Sequence, residues 1–272
     1  MSSSSPLALL PLALRLADAA RLAIAPHFRA PGLAAENKAG TGFDPVTAAD
    51  RAAEQAMRAL IERERPQDGV EGEEFGSKPA GESRFTWYLD PIDGTRAFIA
   101  GLPTWTVLIG LVEAGRPVLG VIDQPWLDER YVGCEGKAWV AERGRQATLA
   151  VSPCPALTDA LLATTDYFLF TPPERGAFDH VRATARMTRY GLDAYAYARL
   201  AAGGLHMVIE SGLQPHDVAA LAPVVEGAGG VIADWRGRPI RLGGGDFSGQ
   251  IVAAAHQDVL DEALISLRRS AY

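Results

Sequence analysis

The sequence predicts a mixed α/β protein, α+β in its arrangement, built as two fused lobes that divide near residue 150. Three observations predict it: two helical patterns before residue 66, short strand-like runs between residues 86 and 141, and strand and helix patterns alternating after about residue 160. Leu9, Leu12, Leu16 and Ala19 recur at helical spacing, which predicts a first helix over residues 7–28. A loop is expected over 31–45. Thr47-Ala48-Ala49-Asp50 has the form of a capping box and opens a second helix that reaches about Arg65. Runs at 86–89, 105–112, 117–123, 129–133 and 138–141 are punctuated by turn residues, the pattern of an antiparallel meander. Beyond it, strands are expected at 161–165, 205–210, 231–234 and 250–254, and helices at 174–187, 193–202, 214–227 and 257–268. Residues 1–150 then form the N-terminal lobe and 151–272 the C-terminal one.

The chain has 272 residues, enough for a sizeable core, and 48% of them are hydrophobic against 22% charged, as in soluble globular proteins. A net charge of −7 argues against a nucleic-acid or anionic-membrane partner, which wants a basic face. The two cysteines, Cys134 and Cys154, fit neither a disulfide framework nor a cysteine zinc site, so a reducing cytoplasm is the expected location. The apolar stretch over residues 7–24 is interrupted by Arg15, Asp18 and Arg21, which makes it an amphipathic helix rather than a signal peptide or a membrane span.

Three acidic features stand out: Glu71-Gly72-Glu73-Glu74, Asp90-Pro91-Ile92-Asp93-Gly94-Thr95, and Asp217 in Leu213-Gln214-Pro215-His216-Asp217. The strand Trp87-Tyr88-Leu89 delivers Asp90 to its end, and Pro91 is expected to turn the chain there. Asp90 and Asp93 can then face one point, with the Ile92 carbonyl between them. Hard divalent cations take such oxygen donors. Gly94 lets the backbone approach a ligand, and the Gly94 and Thr95 N–H groups open a short helix at 95–99 as an anion site. Read alone, the segment is equally a solvated turn with helix-capping aspartates. Glu73 alone is equally part of a solvated loop, and Asp217 alone is equally a first-turn acid that complements a helix dipole. Their combination is more specific. It also answers the charge of the chain, because bound cations reconcile an acidic protein with an anionic ligand.

Competing chemistries are absent. No Arg stands at the sixth position after Cys134, where the residue is Val140, so a cysteine-nucleophile phosphatase loop is missing. The aspartates are spaced Asp-x-x-Asp rather than Asp-x-Asp. There is no Gly-x-Ser-x-Gly elbow and no Gly-Lys-Ser/Thr phosphate loop. The five histidines form no metal-binding pair, although His216 adjoins Asp217.

From Lys38 to Gly237 the chain resembles the inositol monophosphatase family. The motifs that carry the resemblance are Asp44-Pro45-Val46-Thr47-Ala48-Ala49-Asp50, Gly72-Glu73-Glu74, Trp87-Tyr88-Leu89-Asp90-Pro91-Ile92-Asp93-Gly94-Thr95, and Glu210 to Asp217 followed by Glu226-Gly227-Ala228-Gly229-Gly230. The resemblance implies a layered αβαβα sandwich, commonly a homodimer, acting on a small phosphorylated metabolite. It implies that Glu73, Asp90, the Ile92 carbonyl, Asp93 and Asp217 ligate two or three Mg²⁺. Glu73 and Thr95 would orient the metal-activated water, Asp50 would support Thr95, and the Gly94 and Thr95 amides would hold the phosphate. No covalent intermediate is needed, in keeping with the absent nucleophile motifs.

Arg96 after Thr95, the segment Arg189-Tyr190-Gly191-Leu192-Asp193-Ala194-Tyr195-Ala196-Tyr197, and Glu210-Ser211-Gly212-Leu213-Gln214-Pro215-His216-Asp217 resemble the histidinol-phosphate phosphatase branch. Arg96, Arg189, Asp193 and Glu210 are therefore expected at the substrate, and Asp193 and Glu210 suit one that carries an ammonium and an imidazole. Leu192, where a small residue is expected, and His216, where an aromatic is commoner, depart from the pattern. Inositol phosphate or a broader set of sugar phosphates is the alternative substrate class. A non-catalytic binding protein on the same scaffold is a further alternative, but it should have lost a metal ligand or Thr95, and this sequence retains them.

Overall fold

A computed structural model of the chain describes residues 5–31, 35–37, 45–245 and 247–272. The expected loop over 31–45 falls largely outside them, as do Lys38 and Asp44. The chain opens with α1 (Pro6–Ile24), the short antiparallel pair β1 (Ala35–Asn37) and β2 (Pro45–Thr47), and α2 (Ala48–Glu64). Ser5 caps α1, and Thr47 with Asp50 forms the capping box that starts α2. The first helix stops at Ile24 rather than running to residue 28, because Pro26 has no N–H to continue the ladder.

An eight-stranded sheet follows: β3 (Gly69–Gly72), β4 (Gly76–Lys78), β5 (Phe85–Asp93), β6 (Thr106–Glu113), β7 (Arg116–Gln124), β8 (Glu129–Cys134), β9 (Lys137–Glu142) and β10 (Arg145–Thr148), with the short helix α3 (Thr95–Ile99) after β5. Its order is β10-β9-β8-β7-β6-β5-β3-β4. β5 through β10 form the antiparallel meander, while β3 joins β5 in parallel. The Glu-rich segment expected as a loop thus begins as a strand. The expected turn at Pro91 is also displaced, since β5 continues to Asp93.

A five-stranded sheet of order β12-β11-β13-β15-β14 completes the fold. Its elements are β11 (Leu161–Thr164), α4 (Pro172–Thr184), β12 (Met187–Tyr190), α5 (Tyr195–Ala201), β13 (Met207–Glu210), α6 (Pro215–Ala219), α7 (Leu221–Gly227), β14 (Val231–Asp234), β15 (Ile251–Ala254) and α8 (Gln257–Leu267). The helix expected over 174–187 ends at Thr184. Ala185 turns to an extended conformation, the Arg186 and Met187 amides bond the Ala160 carbonyl, and residues 187–190 pair with β11 as a strand. The helix expected over 214–227 breaks at Ala220, and Pro223 cannot return a hydrogen bond to Ala219 there.

Side-chain alternation sorts these elements into five layers, αβαβα. Trp87, Leu89, Val107, Ile109, Leu119 and Val121 face α1 and α2. Tyr88, Leu108, Ile122 and Tyr131, on the opposite face, meet α5, α6, α7 and the near face of the small sheet. The far face of that sheet packs against α4 and α8 through Met207, Val252, Phe178 and Leu264. The middle layer sits unusually close to the large sheet. Gly110 pairs with Gly120 and Gly120 with Gly133, a glycine row across three strands. A Cβ at these positions would lie 2.4 Å from Ala219 Cβ, 2.0 Å from the Ala220 oxygen and 2.1 Å from the Pro223 oxygen. The row lets the α6–α7 backbone rest directly on the sheet, which brings Asp217 down to β5.

Candidate active site

Residues three apart on a regular strand point to opposite faces. Asp90 and Asp93 escape that rule because β5 bulges between them: Asp90 pairs with Leu108 and Asp93 with Thr106, so three steps on β5 match two on β6. Both carboxylates therefore face the middle layer. There they meet Asp217, which α6 carries in from above, and one oxygen from each of the three lies within 4.8 Å of the others. The Ile92 amide donates to Asp90 Oδ1 at 3.1 Å, the Ala194 amide to Asp93 Oδ2 at 2.6 Å, and the Gln214 amide to Asp217 Oδ2 at 2.7 Å. The last bond is the N-terminal cap of α6, so Asp217 combines the helix-capping and clustering roles. His216 Nε2 lies 3.3 Å from Asp217 Oδ1.

Glu73 joins from the parallel strand. The register Gly72↔Leu89 places the next residue, Glu73, beside Asp90, and its amide donates to the Leu89 carbonyl at 3.2 Å. The loop that bears Glu73 is braced by buried Glu54, which accepts from the Glu74 and Phe75 amides at 2.7 and 3.2 Å. Burial pushes the Asp90 carboxyl well above its usual range, and Glu73, Asp93 and Asp217 push it further. Burial does the same to Asp93, with Asp193 and Asp217 adding to it. Carboxylates crowded in this way ionise together only when a cation joins them. The donor set, all carboxylate oxygen, fits a hard divalent ion.

Around this floor a cavity of about 400 Å³ opens. Gly94 adopts φ +82°, and a Cβ there would lie 3.0 Å from Asp193 Cγ, so conformation and space both call for glycine. Asp193 itself is left-handed at φ +50°, a conformation an aspartate tolerates. Burial raises its carboxyl to about 6, with Arg96 opposing. Arg96 reaches Asp166 at 3.5 Å. Glu210 is buried at the end of β13 and accepts from the Thr165 amide at 2.8 Å and the Thr165 hydroxyl at 3.0 Å; burial nevertheless pushes it up to about 8.

Not every expected residue arrives in its expected place. Arg189 lies exposed on the edge strand β12 and does not line the cavity. The Thr95 hydroxyl donates to the Ile92 carbonyl at 3.0 Å rather than to Asp50. Asp50 instead accepts from the Thr47 amide and hydroxyl at 2.8 and 2.6 Å, and its Oδ1 has no partner among the described residues. Burial, with Glu73 nearby, raises the Asp50 carboxyl. Two residues that sequence reasoning passed over also belong here. Thr165 fixes Glu210, and Tyr197, fully buried in α5, lines the cavity with a hydroxyl that has no partner among the described residues. Thr165 was signalled only by its place at the end of the expected strand over 161–165; Tyr197 closes the segment 189–197 that carries the resemblance, with no role assigned to it.

Comparisons with known proteins identify the relatives of this chain. The family model described as the inositol monophosphatase family matches residues 8–271. A chloroplastic bifunctional phosphatase, IMPL2, of Arabidopsis thaliana is 42% identical over 83% of this chain, which spans 66% of that relative's length. A histidinol-phosphatase of Streptomyces coelicolor is 37% identical over 92% of both chains. Among solved structures, an inositol monophosphatase from Zymomonas mobilis superposes with a TM-score of 0.84 at 45% identity, covering 97% of this chain and 99% of that one.

Proposed function

The chain belongs to the inositol monophosphatase family and hydrolyses phosphate monoesters, and from that premise we propose that its substrate is histidinol phosphate and its cofactor Mg²⁺. The observation that carries the substrate is the pair Glu210 and Asp193. Both are carboxylates on the cavity wall beside the acidic floor, and Arg96 is the cation that acts on Asp193. An ammonium or imidazolium gains from such a wall, whereas a polyol needs only hydroxyl partners. The similarity to a histidinol-phosphatase supports the same reading. The 45% identity to a chain described as an inositol monophosphatase favours a second reading, inositol phosphate hydrolysis by the same machinery.

In this reading Glu73, Asp90, Asp93, Asp217 and the Ile92 carbonyl hold the cations. When bound, these supply a water of lowered pKa and countercharge for the phosphate oxygens. Thr95 and Glu73 orient the attacking water, with Asp50 supporting that corner. The Gly94 and Thr95 amides position the phosphate, and Glu210, Asp193 and Arg96 position the alcohol portion. We assign the protein a cytoplasmic location and a homodimeric state, to be checked by fractionation and by light scattering. Among the described residues no helix is long and apolar enough to cross a membrane.

The substrate is tested by measuring phosphate release from histidinol phosphate, inositol 1-phosphate and 3′-phosphoadenosine phosphate side by side in Mg²⁺. The expected result is the highest kcat/KM on histidinol phosphate. Equal or greater efficiency on inositol phosphate would move the assignment to the second reading.

A further inference from the structure

Outside the cavity one buried charge is tied to its wall. Glu174, in the first turn of α4, is 1% exposed. Its Oε2 accepts from the Thr171 amide and hydroxyl, both at 2.7 Å, which caps α4. Its Oε1 does something the cap does not need: it accepts from the Ser211 hydroxyl at 2.5 Å and from Gln250 Nε2 at 2.7 Å. Burial pushes this carboxyl up, but the bonds from Ser211, Gln250 and Thr171 outweigh burial and hold it below its usual range. Ser211 lines the cavity as the residue after Glu210. It begins the segment 211–214, which joins Glu210 to the helix that carries Asp217. The same segment is pinned once more, by the Leu213 amide to the Gly249 carbonyl at 3.1 Å, next to Gln250. A buried carboxylate with no salt bridge among the described residues, its donors on three separate segments, is costly unless every bond is made.

We propose that Glu174 is a positioning residue for the active site: through Ser211 it fixes the segment that spaces Glu210 from Asp217. The inference rests on the reading of Asp217 as a cation ligand and Glu210 as a substrate contact. Residues that orient ligating groups commonly change metal affinity or activity by about 10- to 100-fold when removed.

Two variants separate this role from helix capping. Ser211→Ala removes only the bond to the cavity wall, while Thr171→Ala removes only a bond within the cap. Each is measured for Mg²⁺ dissociation constant by calorimetry, for KM and kcat, and for melting temperature. Ser211→Ala is expected to weaken Mg²⁺ binding and raise KM, each by about tenfold, with kcat at saturation nearly retained and Ser211→Thr restoring both. Thr171→Ala is expected to lower the melting temperature without moving either constant. If Ser211→Ala binds Mg²⁺ and substrate as the wild type does, or if both variants lower only the melting temperature, Glu174 is purely structural and the proposal is overturned. Failure of the wild type itself to bind Mg²⁺ would instead remove the reading of Asp217.

Discussion

Asp123 and the pair Asp90 and Asp93, all carried on the large sheet, face the same solvation problem and resolve it differently. Asp123 on β7 is fully buried. Arg21 of α1 grips both its oxygens, Nε to Oδ2 at 2.6 Å and Nη2 to Oδ1 at 2.8 Å, and Arg130 of β8 donates to Oδ1 at 2.6 Å. That cluster fastens the first helix to the large sheet. Asp90 and Asp93 lie on the middle-layer face of the same sheet, and among the described residues no lysine or arginine forms a salt bridge with either. Each takes one backbone N–H, and otherwise their neighbours are further carboxylates. A buried acid whose countercharge is built into the chain belongs to the scaffold. A group of crowded acids, Asp90 buried and its neighbours half-buried, whose countercharge must come from outside marks a binding site.

Substitution at the site should have the largest effect. Asp93→Asn keeps an oxygen for the Ala194 amide but removes one charge from the cluster. The expected loss is roughly 10³-fold in kcat/KM, about 4 kcal/mol of transition-state stabilisation. Melting without Mg²⁺ should not fall, because the crowded cluster then contains one ionisable acid fewer. Retained Mg²⁺-dependent turnover in this variant would break the comparison at once. Asp123→Asn should do the reverse. It takes the buried countercharge from Arg21 and Arg130 and leaves them only the exposed Asp128 and Asp18, and the expected cost is about 3 kcal/mol of stability by denaturant titration. The folded fraction should keep its kcat/KM.

Cation binding sharpens the same contrast. A ligand at 100 times its dissociation constant stabilises the folded state by about 2.7 kcal/mol. Mg²⁺ added to the metal-free protein should therefore raise the melting temperature, and Asp123→Asn should respond as strongly as the wild type. Asp93→Asn should respond weakly. A wild-type melting curve unchanged by millimolar Mg²⁺ and by a chelator would count against the floor as a cation site.

How much of this was legible depends on the range of the interactions involved. Asp90, Asp93, Gly94 and Thr95 were legible because strand, bulge and helix start lie within one short segment, and the capping box of α2 was legible for the same reason. The bulge itself was not, since only pairing with β6 shows that three residues occupy two steps. The glycines at 110, 120 and 133 fall unmarked within expected strands, and their purpose appears only when α6 and α7 lie against them. Residues 187–190 lie at and just past the end of the expected helix, and it is pairing with the neighbouring strand β11 that makes them a strand. Arg189 follows from that: on an edge strand its side chain is exposed, away from the cavity where the resemblance of its segment had placed it.

Glu210 stands between the two sets, and the smallest predicted effect probes it. It is buried like Asp123, yet it is held by threonine hydroxyls and an amide instead of an arginine. Burial raises its carboxyl from 4.5 in the unfolded chain to about 8. The folded state therefore binds the proton more tightly than the unfolded state does, and this residue's contribution to stability declines as pH rises from about 4.5 to about 8. Glu210→Gln should flatten that part of the profile, measured by melting the metal-free variant and wild type at pH 5 and pH 8. A cationic alcohol such as histidinol reverses the preference, because it favours the ionised carboxylate. Its binding to the wild type should release a proton below pH 8 and tighten as pH rises from 6 to 8, while binding of a neutral polyol stays level. Glu210→Gln should lose about tenfold of the discrimination between the two alcohols, about 1.4 kcal/mol. Calorimetry in two buffers of different ionisation enthalpy detects the proton directly. If no proton is released and the variant discriminates as the wild type does, Glu210 is a scaffold acid like Asp123, and the wall loses its claim to a cationic substrate.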